Sequence, residues 1–151
     1  DLSQLKDEAV VAIPNDSSNG GRALLLLQDA GLISVNKDAG AFPRVKDIIE
    51  NPKNIKIVEL VATQIPRSIE DVDVAAINNG VAVQAGYSPL VDSIFIEDFK
   101  NERLKPYFNI IASRDDNQNK PEIKRVLEVY QTAENKKIID DYYKGSSIAV
   151  F

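Results

Sequence analysis

The residues best suited to chemistry stand between positions 10 and 28, in VVAIPNDSSNGGRALLLLQ. An apolar run ends at Pro14, Asn15 and Asp16. Two serines, Asn19 and the pair Gly20-Gly21 follow, and Arg22 opens a leucine-rich stretch. A strand that feeds a glycine-rich turn and a helix start is a setting for anion binding. Unpaired backbone N–H groups point outward there, and the helix dipole favours negative charge. Arg22 adds a planar, permanently charged fork that matches a carboxylate or a phosphate. A cation near the positive end of a helix is unfavourable unless an anion accompanies it. The competing reading is a surface arginine paired with an acid, and the local chemistry does not say which anion is held. Asn15, Asp16 and Asn19 are expected to hold the turn through side-chain to backbone bonds, with a ligand contact by one of them as the alternative.

Two asparagines add polar groups. Asn78, followed by Asn79, comes at the carboxyl end of the apolar run DVAAI (73–77), where open α/β sheets place their ligands. Its amide offers both a donor and an acceptor, and asparagine also caps helices well. Asn109 interrupts the run YFNIIA (107–112), where its amide either faces solvent or has a specific partner.

Composition removes whole classes of function. The 151 residues contain no histidine and no cysteine. That eliminates the commonest general base, thiolate metal sites, disulfides and every Ser-His or Cys-His nucleophile pair. Ser17-Ser18 has no base to activate it. Glu97-Asp98 and Asp140-Asp141 are acid pairs without a third ligand, so neither a metal nor any other cofactor is expected. A formal net charge of -5 is the wrong sign for a nucleic-acid binder. No apolar run is long enough to span a bilayer. With 44% hydrophobic residues, the chain can build a core of ordinary size.

These groups must be positioned by an alternation of strands and helices. The pattern predicts strands at 9–13, 32–35, 55–60, 73–77, 94–97 and 107–112, with a strand or tail at 148–151. It predicts helices at 20–30 (capped by Gly31), 42–50, from Pro66 through 71, 78–85 (stopped by Gly86), 119–132 and 134–143. Such alternation means an α/β fold with a mostly parallel sheet flanked by helices. The Leu24 to Leu27 run reads as core. The polar stretch SRDDNQNKP (113–121) reads as a linker. Beyond it, two amphipathic helices carry apolar faces at Ile123, Val126, Leu127 and Tyr130, then Ile138, Ile139, Tyr142 and Tyr143.

AIPNDSSNGGRALLLLQDAGLI (12–33) resembles the signature AIPND-x-x-N-x-GR-x-LLLLQ-x-x-GLI of the NlpA-type lipoproteins, the methionine-binding components of bacterial ABC importers. The resemblance continues through VKDIIENPKNIKIVEL (45–60), QIPRSIEDVDVAAIN (64–78), YFNIIASRD (107–115) and VYQTAENKKIIDDYYKGSSIAVF (129–151). Several long blocks in order are far more specific than one short motif. The chain departs from the family in having Val81 where an aromatic is usual, and a few extra residues in FKNERLK (99–105).

The resemblance implies a type II solute-binding fold of the periplasmic-binding-protein kind, present here as one lobe, with the N-terminal part of a first lobe preceding it. Residues 1–113 would form the second ligand-binding lobe, and 114–151 would be C-terminal helices returning toward the first. It implies that Arg22 grips the ligand's α-carboxylate and that Asn78 and Asn109 complete the contacts. It implies a protein that binds methionine or a related amino acid or dipeptide, docks on an ABC permease, and is held outside the cytoplasm by an N-terminal lipid. Self-association through the faces of the C-terminal helices is a further expectation. The alternatives are an amino-acid effector domain of a regulator, or an enzyme using Arg22 as a carboxylate or phosphate clamp.

Overall fold

The computed structural model describes residues 2–151. The chain divides into two compact units, residues 1–98 and 99–151.

The first unit is built on strand β1 (Val10–Pro14). Val11, Ala12 and Ile13 are fully buried, as a central parallel strand with both faces covered requires. Strands β4 (Lys56–Leu60) and β5 (Val74–Ala75) flank it, and both run parallel to it. Helix α1 (Ser17–Asp29) leaves the carboxyl end of β1 and packs back on it through Ala23, Leu24, Leu25 and Leu27. The leucine run is therefore core. After Gly31, at φ 74°, strand β2 (Ser34–Val35) pairs antiparallel with β3 (Ile48–Glu50). A 3-10 segment (Ala62–Asp71) with Pro66 inside it lies beside β1 and β5 and fully buries Ile65. Two short helices follow, α2 (Asn79–Gln84) and α3 (Pro89–Asp92).

Three expectations fail, each for want or gain of a partner. Residues 42–50 do not form a helix: a 3-10 turn (Val45–Asp47) leads into β3, because β-branched Ile48 finds a ladder partner in Val35 and Glu50 finds one in Ser34, with a register shift between them. The side chain of Asn51 then clasps the turn, donating to the Ile55 carbonyl at 3.0 Å and accepting from the Ile55 N–H at 2.9 Å. Residues 94–97 are not a strand, and Ile94 and Ile96 stand 60% and 48% exposed. Residues 107–112 are not a strand either: a 3-10 helix (Glu102–Tyr107) ends there, and the chain continues without a ladder. Period and residue type suit strands at both places, but a strand exists only where a neighbour takes its hydrogen bonds.

The second unit holds helices α4 (Pro121–Tyr130) and α5 (Ala133–Tyr143). Pro121 opens α4, and the Thr132 hydroxyl caps α5 by accepting from the Asn135 N–H. Lys144 and Gly145, both at positive φ, end it. Val126, Val129, Tyr130, Ile138 and Tyr142 are exposed. Residues 148–151 have no regular structure, although the Phe151 ring lies 5.9 Å from that of Tyr130.

Helix α1 begins at Ser17, three residues earlier than its sequence pattern suggests, so Gly20 and Gly21 lie a full turn inside it rather than at its start. Their role is steric. A Cβ on Gly20 would stand 2.6 Å from the Pro14 carbonyl oxygen, and one on Gly21 would stand 2.9 Å from the Phe42 Cα. Both obstacles are backbone, which cannot rotate away. Gly20→Ala and Gly21→Ala are each expected to destabilise the protein by about 1–3 kcal/mol. Gly80, inside α2, has nothing within 4 Å of where a Cβ would be. Gly80→Ala is expected to be neutral or stabilising by up to about 1 kcal/mol. Urea titration of the three variants checks the contrast.

Candidate functional site

The polar residues of interest gather at the carboxyl ends of the parallel strands. Val11 pairs with Val74 and Ala12 with Ala75, so the chain leaving β1 and the chain leaving β5 emerge on the same side of the sheet. The first carries Asp16, Asn19 and Arg22, and the second carries Asn78. This is the edge at which open α/β sheets place ligands.

Asp16 stands at the N-cap of α1. Its Oδ1 accepts from the Asn19 N–H at 2.9 Å, and both its oxygens accept from Asn19 Nδ2, at 3.2 and 3.0 Å. The backbone N–H of Asn19, with further help from its side chain and from the N–H of Ser18, holds the Asp16 carboxyl below the usual carboxylate range, against a smaller opposing effect of burial. Asp16 and Asn19 thus hold the turn as their residue types suggest. They also change what the helix start offers, since the protein's own carboxylate already sits at the N-terminal N–H groups.

Arg22 lies one turn further along. Helical side chains lean toward the N-terminus, which carries the guanidinium toward the positive end of the dipole. Glu97 meets it there: Nε donates to Oε1 at 2.8 Å and to Oε2 at 3.0 Å, and Nη2 donates to Oε2 at 2.6 Å. The two side chains are 33% and 21% exposed. This is a bidentate, charge-assisted pair, and it supplies an anion from within the chain. In the sequence Glu97 reads only as half of an acid pair without a third ligand. The partners are 75 residues apart, so no local pattern links them. The only signal is that a cation placed at a helix start needs a counter-charge somewhere.

Asn78 occupies the N-cap position of α2, but its side chain makes no cap bond. Instead Nδ2 donates to Asn19 Oδ1 at 2.8 Å. Asn78 Oδ1 is buried and accepts no hydrogen bond. Arg22 and Asn78 therefore belong to one cluster. Asn19 bonds to the second and lies three positions from the first, a neighbouring spot on the same helix face. Asn109 belongs to the second unit and lies, exposed, in the irregular segment after Tyr107. Among the described residues no three acidic side chains converge as metal ligands, and no helix is long and apolar enough to cross a membrane.

The parallel sheet with flanking helices and a polar cluster at its carboxyl edge is the architecture of solute-binding proteins. A sequence model of the NlpA lipoprotein family matches residues 1–151, and the chain belongs to that family. It is 42% identical over 149 residues to the D-methionine-binding lipoprotein MetQ of Escherichia coli K12, covering 97% of this chain and 54% of that one. The chain thus spans about half the length of the curated relatives it matches. Among solved structures it resembles a nutrient-binding protein from Burkholderia cenocepacia bound to methionine, with 42% identity and a TM-score of 0.91, covering 99% of this chain and 62% of that one. It also resembles the substrate-binding protein of a methionine transporter from Streptococcus pneumoniae, with 36% identity and a TM-score of 0.86, covering 99% of this chain and 58% of that one.

The depressed carboxyl of Asp16 makes the helix cap pH-dependent. Its folded value lies below the ordinary 3.8, so its contribution is complete above that pH and is lost as pH falls through the lowered folded value. At neutral pH, Asp16→Ala is expected to cost about 1 kcal/mol, the usual value of an N-cap. The gap between variant and native protein should hold constant from pH 7 to 5 and narrow below 3.8. Thermal melts of the two proteins across that range measure it.

Proposed function

We propose that this chain is part of the substrate-binding component of an ABC importer for methionine or a close derivative, and that it works by binding rather than by chemistry. Its carrying observation is Asn78. The side chain stands where it would ordinarily cap a helix, yet it leaves the cap unmade and keeps a buried oxygen unpartnered. A buried acceptor without a donor is costly, and a ligand N–H is the natural remedy. Arg22, in the same cluster, takes the ligand carboxylate.

Membership of the NlpA family and the methionine-binding relatives support methionine as the ligand. The name of the Streptococcus pneumoniae neighbour supports a transporter as the partner. Asn109 is retained as a further candidate ligand contact on the strength of the family resemblance of its segment alone. The family's lipoprotein character supports an extracytoplasmic location with a lipid anchor on the whole protein. A regulator's effector domain or an enzymatic clamp has no counterpart among these relatives.

In the full-length protein that carries this chain, Arg22→Ala is expected to weaken methionine binding by more than tenfold. Removing one partner of a hydrogen-bonded charge pair typically costs about 2–5 kcal/mol. Isothermal titration calorimetry with methionine, paired with a thermal melt, tests it. A folded variant with native affinity overturns the assignment of Arg22.

A further inference from the structure

Asn78 can serve a ligand amine only if its oxygen, and not its NH2, faces the ligand. An amide can present either end, so something must choose. The choice is traceable through three side chains. The carboxylate of Asp16 can only accept hydrogen bonds. Asn19 therefore turns its NH2 toward Asp16, reaching Oδ2 at 3.0 Å and Oδ1 at 3.2 Å. That leaves Asn19 Oδ1 pointing the other way, where it accepts from Asn78 Nδ2 at 2.8 Å. With its NH2 committed, Asn78 presents its oxygen. A flipped Asn78 would set two carbonyl oxygens against each other. The backbone keeps the relay in place, because the Asn19 N–H also binds Asp16, at 2.9 Å. The carboxyl is held ionised by the same bond, so the acceptor-only state persists at neutral pH.

We propose that Asp16 and Asn19 are positioning residues: they lock the Asn78 amide as an acceptor and so make the site select a protonated amine beside the carboxylate. This rests on the reading of Arg22 and Asn78 as ligand contacts. The relay discriminates between ligands of the same shape. A zwitterionic amino acid satisfies the orphaned oxygen, whereas the same acid without its amine leaves it buried and unpaired. A site built around a committed hydrogen-bonding group rejects ligands that lack the complement more strongly than an apolar site does.

The test compares two probes on the full-length protein by calorimetry: methionine, and 4-(methylthio)butanoate, which lacks only the amine. The native protein should prefer methionine strongly. Asn19→Ala places a good helix former at its position and removes the lock. It should cut the preference by about fivefold or more, the scale of one neutral hydrogen bond, through weaker methionine binding with the analogue little changed. Asp16→Asn retains a good N-cap residue and should shift the preference in the same direction by less. Thermal melts identify any variant that fails to fold, and Asp16→Asn then carries the test.

An unchanged preference in a folded variant overturns the relay. So does an equal loss for both probes, which is what a merely structural role would give, and so does a native protein indifferent to the amine. If instead Arg22→Ala keeps native affinity for methionine, the functional reading fails rather than the relay.

Discussion

The close approach of helix α1 to the end of β1 is the constraint on which the first unit depends. The chain reverses within a few residues of Pro14, and Gly20 passes so near the Pro14 carbonyl that no side chain fits between them. Because the helix turns back at once, its leucines reach β1 and close the core over Val11 and Ile13. Because it starts at the carboxyl edge of the sheet, Asn19 and Arg22 stand beside the chain leaving β5. Packing and polar geometry are thus set by one junction. Gly21 extends it by letting the Phe42–Pro43 backbone lie against the helix.

The junction also fixes the electrostatics. A helix start is positive, and an arginine leaning toward it adds to that charge. The chain answers with two carboxylates of its own: Asp16 on the backbone N–H of Asn19 and Glu97 on the guanidinium. Most of the cluster is therefore satisfied internally. The buried oxygen of Asn78 is the exception, left without a partner while its NH2 is held by Asn19, which in turn is held by Asp16. The orientation of one side-chain amide is thus set by its neighbours, as polar groups in small sites commonly are.

The second unit is organised differently. Its two main helices have clear starts and stops but no buried residue, and their amphipathic faces leave Val126, Tyr130, Ile138 and Tyr142 exposed. Helices of this length draw most of their stability from packing an apolar face. Their limits in the sequence come instead from strong end signals: Pro121 at the first position of α4, Thr132 as the cap of α5, and Lys144-Gly145 in the left-handed conformation after it.

The sequence alone determined what depends on neighbours along the chain. The unbroken apolar run of β1, the alternation in β4, the leucine stripe of α1, and the end signals of α2, α4 and α5 each appear where their residue types put them. It also showed that these 151 residues offer neither histidine nor cysteine. Tertiary structure decided everything that required a distant partner. Residues 48–50 became a strand because Val35 and Ser34 offered a ladder to Ile48 and Glu50, while the equally strand-like residues 94–97 and 107–112 found none. Glu97 became the counter-ion of Arg22, and the Asn78 amide took its orientation from Asn19, through contacts spanning 75 and 59 residues. Periodicity and capping are short-range and can be read from a string of letters. A ladder, an ion pair and the direction of an amide exist only once the chain has brought their two halves together.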